Sequence, residues 1–249
     1  LACAYATNRT PAFATETRLV LAQTQVDPTS NEITAIPSLL SLLDLRGALV
    51  SIDAMGCQSD LAAQIHEKGG DYLLALKKNQ PTLHKEVELF FKDQSLPKSE
   101  ETEVDKGHGR LEQRTCLSSD QVDWLRQYHS FPGLRSVVCI QSQREIQGKV
   151  QTEQRYYISS LPPDATRLLH AVRSHWAIEN SLHYVLDVSF SEDHARIRLG
   201  NAPRNIALVR KIVLNLLRSA QKPRQSLKRM RKAAGWDDSF LHSILQANF

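Results

Sequence analysis

No run of this sequence stays apolar for the roughly 18–20 residues that a bilayer-spanning helix needs, and no basic-then-apolar leader opens it. The four cysteines, Cys3, Cys57, Cys116 and Cys139, are widely spaced and form no CxxC pair. Zinc-ribbon and dithiol redox motifs are therefore absent, and reduced thiols of a cytoplasmic protein are the default. There is no internal repeat, and no HExxH. Acids are missing from one long stretch, Ala195 to Trp236, which carries twelve Lys and Arg residues. With a formal net charge of +4, the rest of the chain is therefore acidic on balance. Such asymmetry points to a polyanion partner, with a solvated helix face balanced by acids elsewhere as the alternative. The first residue is Leu1 rather than Met, already inside an apolar run (LACAYA) that reads as the middle of a strand, so the chain is expected to be a fragment.

The 249 residues, 41% hydrophobic and 23% charged, describe an ordinary globular chain of one large or two small domains. Residues 1–7 read as a strand, NRTPAFATE as a turn, and residues 18–26 as a strand that pairs with the first. A helix is expected over 33–45, with Pro37 as a caution. The run ALVSI (48–52) is a buried strand, 58–68 a helix stopped by Gly69 and Gly70, and DYLLALK (71–77) a second buried strand. This is a βαβ unit of an α/β fold, with Asp53 at the carboxyl end of its first strand, where α/β sites lie. A helix follows over 82–91. Residues 93–160 change character: a polar loop, strands at 111–117, 136–146 and 150–159, and a short helix near 122–127. Asp164 caps a helix through Leu168, Leu169, Val172 and Trp176; LDVSF beyond it has β character. Residues 204–218 form an amphipathic helix with Ile206, Val209, Val213 and Leu216 toward the core, and a last short helix covers about 240–245.

The chemistry concentrates in RSHWAIENSLHYVLDVSFSED, residues 173–193. On one helix His175, Glu179 and His183 share a face. Trp176 and Leu182 flank Glu179, which is either a buried, salt-bridged carboxylate or part of a site. Asp53 is the second suggestive acid. A carboxylate at a strand end suits a hard divalent cation, and paired cations serve phosphoryl transfer when carboxylates from separate elements converge. Two acids are few for two ions, so Asp187, Glu192 and Asp193 are candidates for a third. The rival is zinc held by His175, Glu179 and His183, a metal hydrolase. His108 and Arg110 in HGR contact phosphate or form a solvated loop tip. Lys77 and Lys78, after the second strand, reach a backbone phosphate or are a polar exit from the sheet.

Five segments, SNEITAIPSLLSLLDL, SIDAMGCQSDLAAQI, GGDYLLALKKNQ, RYYISS and HWAIENSLHYVLDVSFSED, in this order over residues 17–245, closely resemble the bacterial insertion-sequence transposases that include the H-repeat-associated proteins. The resemblance implies a DDE transposase with a ribonuclease H-like core. Acids from a first strand, a fourth strand and a late helix of that core hold two Mg²⁺ ions, with Mn²⁺ as a substitute. It matches Asp53 to the second acid and Glu179 to the third, as catalytic metal ligands, and expects the first in an IDGK-like strand upstream of Leu1. Residues 1–92 are then the first part of the core with its first strand missing. Residues 93–160 are a β-rich insertion, and 161–249 the catalytic helix with a basic helical C-terminal part. The implied reaction is hydrolysis of a DNA phosphodiester followed by attack of the freed 3′-hydroxyl on target DNA. The implied partners are terminal inverted repeats and target DNA, with a homodimer in a synaptic complex, in the bacterial cytoplasm at the nucleoid. Lys77, Lys78, His108, Arg110, Arg173, His175, His183, Arg196, Arg198 and Arg204 are the expected DNA contacts. With one acid lacking, the chain alone is expected to be inactive; the alternative is a non-catalytic DNA-binding remnant or regulator of an intact transposase.

Overall fold

The computed structural model describes residues 2–3, 9–25, 32–107 and 110–247, and one mixed sheet runs through it. Strands β1 (Ala2–Cys3), β2 (Arg9–Ala14) and β3 (Leu19–Gln25) pair antiparallel. β4 (Leu49–Ile52) lies parallel to β1, and β5 (Asp71–Leu76) parallel to β4. Four antiparallel strands complete the sheet: β6 (Ser99–Gly107), β7 (Arg110–Ser119), β8 (Ser136–Ile146) and β9 (Lys149–Ser159). β9 joins β5, so the order is β3-β2-β1-β4-β5-β9-β8-β7-β6.

Helices cover both faces, which is why β4 and β5 are apolar apart from Ser51 and Asp71. On one face α1 (Glu32–Ser41), α2 (Ser59–Glu67) and α3 (Pro81–Lys92) set Ile36, Leu39, Leu61, Ile65, Leu83 and Val87 against Val50, Ile52, Leu74 and Leu76. The short α4 (Asp123–Tyr128) adds Leu125 to the same cluster. On the other face α5 (Ala165–Ile178) sets Leu168, Leu169 and Val172 against Leu73, Ala75, Val138 and Ile140. Alternate residues of β5 thus serve opposite cores, as the two-residue period of a strand requires. Asp164 starts α5, its carboxylate accepting from the Arg167 N–H at 3.0 Å.

Several expectations are corrected. Most of NRTPAFATE is strand, only Thr15 and Glu16 of its described residues belonging to a turn: Thr10, Ala12 and Phe13 are buried in β2, and Pro11 lies outside the Ala12–Phe13 stretch that β1 pairs. A proline there removes no hydrogen bond to that neighbour. The polar segment before residue 107 is strand β6 rather than loop. It lacks apolar alternation and is held by polar cross-strand pairs, Thr102 with Thr115 at 2.9 Å and Asp105 with Arg114 at 2.7 Å. The place beside β4 is filled by the two-residue β1, which carries no carboxylate.

LDVSF is helical. A π turn (Glu179–His183) follows α5 without a break in helical backbone and continues as α6 (Tyr184–Phe190). Leu182, Leu186 and Phe190 are buried at helical spacing. The C-terminal part comprises α7 (Ala202–Ser219), α8 (Leu227–Ala234) and α9 (Asp238–Gln246). The fully buried residues of α7 are Ala207, Lys211, Leu214 and Leu217; of the expected face Val213 and Leu216 pack half-buried against the core, while Val209 is 49% exposed. The reason is what α7 covers. It straps the β3 side of the sheet with polar groups: Lys211 to Gln23 at 2.7 Å, and Asn215 with the Val20 N–H and C=O at 2.9 and 2.7 Å.

The β6 strand is tied to α5 by Thr166 with Glu101 at 3.0 Å and by Arg173, which pairs with Glu103 and with Asp105. Arg173 and its partners are each about two-fifths exposed or more, and exposed pairs contribute about 0–1 kcal/mol each. Arg173→Ala is therefore expected to lower unfolding free energy by no more than about 1–2 kcal/mol. The cost should shrink further in 1 M NaCl when measured by urea denaturation; a salt-independent loss above about 3 kcal/mol would contradict this assignment.

Candidate active site

β4 ends at Ile52, and Asp53 sits at the start of a tight 3₁₀ turn, Ala54–Gly56. Its side chain makes no capping bond to that turn, so the carboxylate is left free for other partners. The turn is braced from the segment after β5. The Asn79 amide donates to the Ala54 carbonyl, and the Gln80 amide donates to the Cys57 carbonyl at 3.0 Å. Lys77 and Lys78, just before them, are exposed on this same side of the sheet.

His175 on α5 closes the site from the other face. Its Nε2 lies 3.3 Å from Asp53 Oδ1, and its Nδ1 lies 3.0 Å from the hydroxyl of buried Ser51. Because a carboxylate only accepts, Nε2 carries the donated proton. Ser51 and Asp53 point to one side of β4, two residues apart, so one ring bridges both. Burial works to raise the Asp53 carboxyl, but the His175 hydrogen bond and charge, with Lys77 and Arg155, outweigh it. The group is held below its ordinary 3.8 and is ionised at neutral pH. Arg155 itself stacks over the Trp176 ring at 4.2 Å, and the Trp176 indole N–H reaches the Tyr157 hydroxyl at 3.4 Å. Burial pushes the Tyr157 phenol up.

Glu179 lies one turn beyond His175, about 6 Å along the axis. It is exposed and begins the π turn. Asp53 thus comes from a strand end, and Glu179 from the helix that carries the histidine partner of Asp53. Both offer the hard oxygen donors that a divalent cation takes, one carboxyl held ionised and the other open to solvent. Among the described residues no three His, Cys, Asp or Glu side chains converge as a metal site. The zinc reading therefore fails: both ring nitrogens of His175 are already engaged, by Asp53 and Ser51. Asp187, Glu192 and Asp193 do not complete a third position either. They crowd one another, and burial with the charges of Asp193 and Glu192 raises the Asp187 carboxyl.

The expected DNA contacts scatter. His175 is 5% exposed and is corrected to an internal partner of Asp53. Arg173 is engaged by β6. His183 is half-buried, with its Nε2 enclosed and lacking a hydrogen-bond partner. Arg196, Arg198 and Arg204 are exposed, Arg198 donating to the Ala195 and Ile197 carbonyls. His108 lies outside the described residues, and Arg110 opens β7 opposite Gly107. Sequence reasoning passed over Ser51 and Arg155. The signal for Ser51 was a lone hydroxyl in an otherwise apolar run.

His175→Ala is expected to raise the Asp53 pKa, read from its carboxyl carbon shift in an NMR titration. A depressed carboxyl contributes stability that is present above its unfolded value of roughly 3.9 and is lost as pH falls through the folded value. The wild type should thus lose an increment of stability below about pH 4 that the variant lacks.

A family model described as a transposase DDE domain matches residues 5–216. YncI of Escherichia coli O157:H7 is 40% identical over 246 residues, covering 94% of this chain and 62% of its own. The H repeat-associated YhhI of Escherichia coli K12 is 39% identical over 242 residues, covering 94% of this chain and 64% of its own. Both are named as candidate transposases. The chain therefore spans 62% to 64% of the length of these curated relatives. Among solved structures, piggyBac transposase in a synaptic complex with hairpin DNA aligns with a TM-score of 0.51 at 11% identity, over 98% of this chain and 50% of that one. This is a likeness of fold.

Proposed function

The chain belongs to the transposase DDE-domain family, and from that premise we propose that it supplies the second and third acids of a DNA-cutting and strand-transfer centre. The observation that carries the reading is the approach of Asp53, at the end of the fourth strand, to His175, one turn before Glu179 on a late helix. The sheet supports it. β1 is antiparallel to β2 and parallel to β4, so first and fourth strands lie side by side as in a ribonuclease H-like core. In this reading residues 1–92 and 161–249 build the core and its basic C-terminal part, and 93–160 form an insertion that continues the sheet.

Asp53 and Glu179 are the residues that would hold Mg²⁺ or Mn²⁺. When bound, such ions neutralise charge on a transferring phosphate and favour an attacking hydroxide. The protein's own share is positional. His175 donates to one Asp53 oxygen and fixes its rotamer, leaving the other outward. The charges of Lys77 and Arg155 help to keep the Asp53 carboxyl ionised. The basic C-terminal part neutralises phosphates along terminal repeats and target DNA. A homodimer would pair two ends, in the bacterial cytoplasm at the nucleoid; no described helix is long and apolar enough to cross a membrane. Ala2 and Cys3 of β1 bring no acid beside Asp53, so the 249-residue chain alone is expected to bind DNA without cutting it. A regulator that competes with an intact transposase for its DNA is the second reading, favoured by the same missing carboxylate.

DNA binding should weaken with salt along a log–log line, and removing Arg204 should reduce its slope by up to about 0.9 if that residue meets one phosphate. Asp53→Asn and Glu179→Gln should leave this binding intact. On terminal-repeat DNA with Mg²⁺ or Mn²⁺, efficient Glu179-dependent cleavage by the chain alone would sink the inactive-alone reading. Absence of any salt-dependent DNA binding would sink both.

A further inference from the structure

Glu179 opens the only π turn among the described residues, and one side chain from a distant helix holds that turn. Counted at 3.6 residues per turn, Leu168, Val172, Leu182, Leu186 and Phe190 would line a single stripe. They do not share a core. Leu168, Leu169 and Val172 pack with β5 and β8, whereas Leu182, Leu186 and Phe190 pack with Phe13, Leu214 and Leu217. The extra residue of the π turn rotates the second half of the helix away from the first core and toward the second. The bond from the Tyr184 N–H to the Glu179 carbonyl spans five residues and marks the change. A switch of pairing within a helix leaves the local carbonyls poorly served.

The carbonyl of Ser181, in the middle of the turn, is met by Arg218 of α7. The same guanidinium donates to the Arg18 carbonyl in the turn just before β3 and lies over the Phe13 ring at 5.5 Å. Burial, with the nearby Arg18 charge, pulls Arg218 down to about 10, which still leaves it cationic at neutral pH. A half-buried cation bonded to two main-chain oxygens and set against one ring is well placed.

We propose that Arg218 is a positioning residue: by donating to Ser181 it holds the π turn, and through the turn it sets where the Glu179 carboxylate stands relative to Asp53. This rests on the reading of Glu179 as a metal ligand, and it assigns a task to a cation that would otherwise count toward the DNA-binding charge.

Two measurements on the full chain separate the claims. In hydrogen exchange, Arg218→Met should speed the amides of residues 182–186 about tenfold or more, with 168–176 unchanged. Arg218→Lys should fall between, and Lys211→Met, which cuts a different tie of α7, should leave 182–186 alone. In the second, Mn²⁺ followed by water-proton relaxation should bind more weakly to Arg218→Met than to the wild type, and about as weakly as to Glu179→Gln. Exchange that rises uniformly in Arg218→Met, or equally in Lys211→Met, overturns the proposal, as does wild-type Mn²⁺ affinity in Arg218→Met. If Glu179→Gln binds Mn²⁺ as the wild type does, the metal reading of Glu179 fails, and the exchange pattern alone decides whether Arg218 holds the turn. Should Arg218→Met not fold, Arg218→Lys carries both measurements, and wild-type behaviour in both overturns the proposal.

Discussion

One helix has to satisfy two cores. From Ala165 to Phe190 the backbone stays helical, yet its first half lies across the sheet and its second half packs among the C-terminal helices. A straight α-helix keeps one apolar stripe, so the two requirements conflict. The π turn resolves the conflict, and it does so at Glu179, one turn beyond the histidine that meets the end of β4. Ile178, 1% exposed, faces the second core while its neighbour Glu179 stays in solvent. The place where a carboxylate can project freely is therefore also the place where packing changes hands. Strained or irregular helix at such a point fits a site whose geometry is fixed by tertiary contacts more than by local propensity.

The second constraint is the flank of the sheet at β3. An uncovered strand edge offers unpaired N–H and C=O groups to any passing strand. Here α7 lies along it and Asn215 pairs with both polar groups of Val20, as a strand would. Lys211 and Arg218 extend the strap one turn to either side, at Gln23 and Arg18. The spacing 211, 215, 218 is that of one helix face. Covering an edge this way requires polar side chains on a buried face, and it leaves Leu208, Val209 and Ile212 nearly half exposed.

That inversion explains what was and was not legible in the sequence. The βαβ unit, Asp53 at its strand end, strands at 136–146 and 150–159 and the Asp164 cap rest on local rules: apolar runs, glycine stops, a capping carboxylate. They stand in the structure within a residue or two. The face of α7 was legible only in part: Val213 and Leu216 pack on the core, but Val209 is exposed, because hydrophobic periodicity assumes an apolar groove and here part of the groove is a strand edge. β6 was missed because its stability is relational: Thr102, Glu103 and Asp105 gain meaning only opposite Thr115, Arg114 and Arg173. The pairing of Asp53 with His175 spans 122 residues, and no local rule reports it. The family resemblance singled out both segments without saying which atoms meet.

Charge shows the same division between local count and placed function. A groove of about 860 Å³ between α5 and the β7–β9 strands is walled by Arg114, Arg144, Arg155 and Arg173 and looks basic in composition. Each of the four is matched: Arg114 and Arg144 with Glu112, Arg155 with Glu153, Arg173 with Glu103 and Asp105. Such a groove presents little net charge to a phosphate backbone. The acid-free stretch from Ala195 to Trp236 has no such internal balance. Two of its twelve cations, Lys211 and Arg218, are consumed in the strap, but Arg196, Arg204, Lys228, Arg229 and Lys232 stand exposed. Long-range attraction of a polyanion scales with uncompensated charge. On the proposed reading, a polyanion such as DNA is met by the helical C-terminal part, and because α7 of that part also reaches the turn beside Glu179, attraction and positioning of the carboxylate would fall to one element.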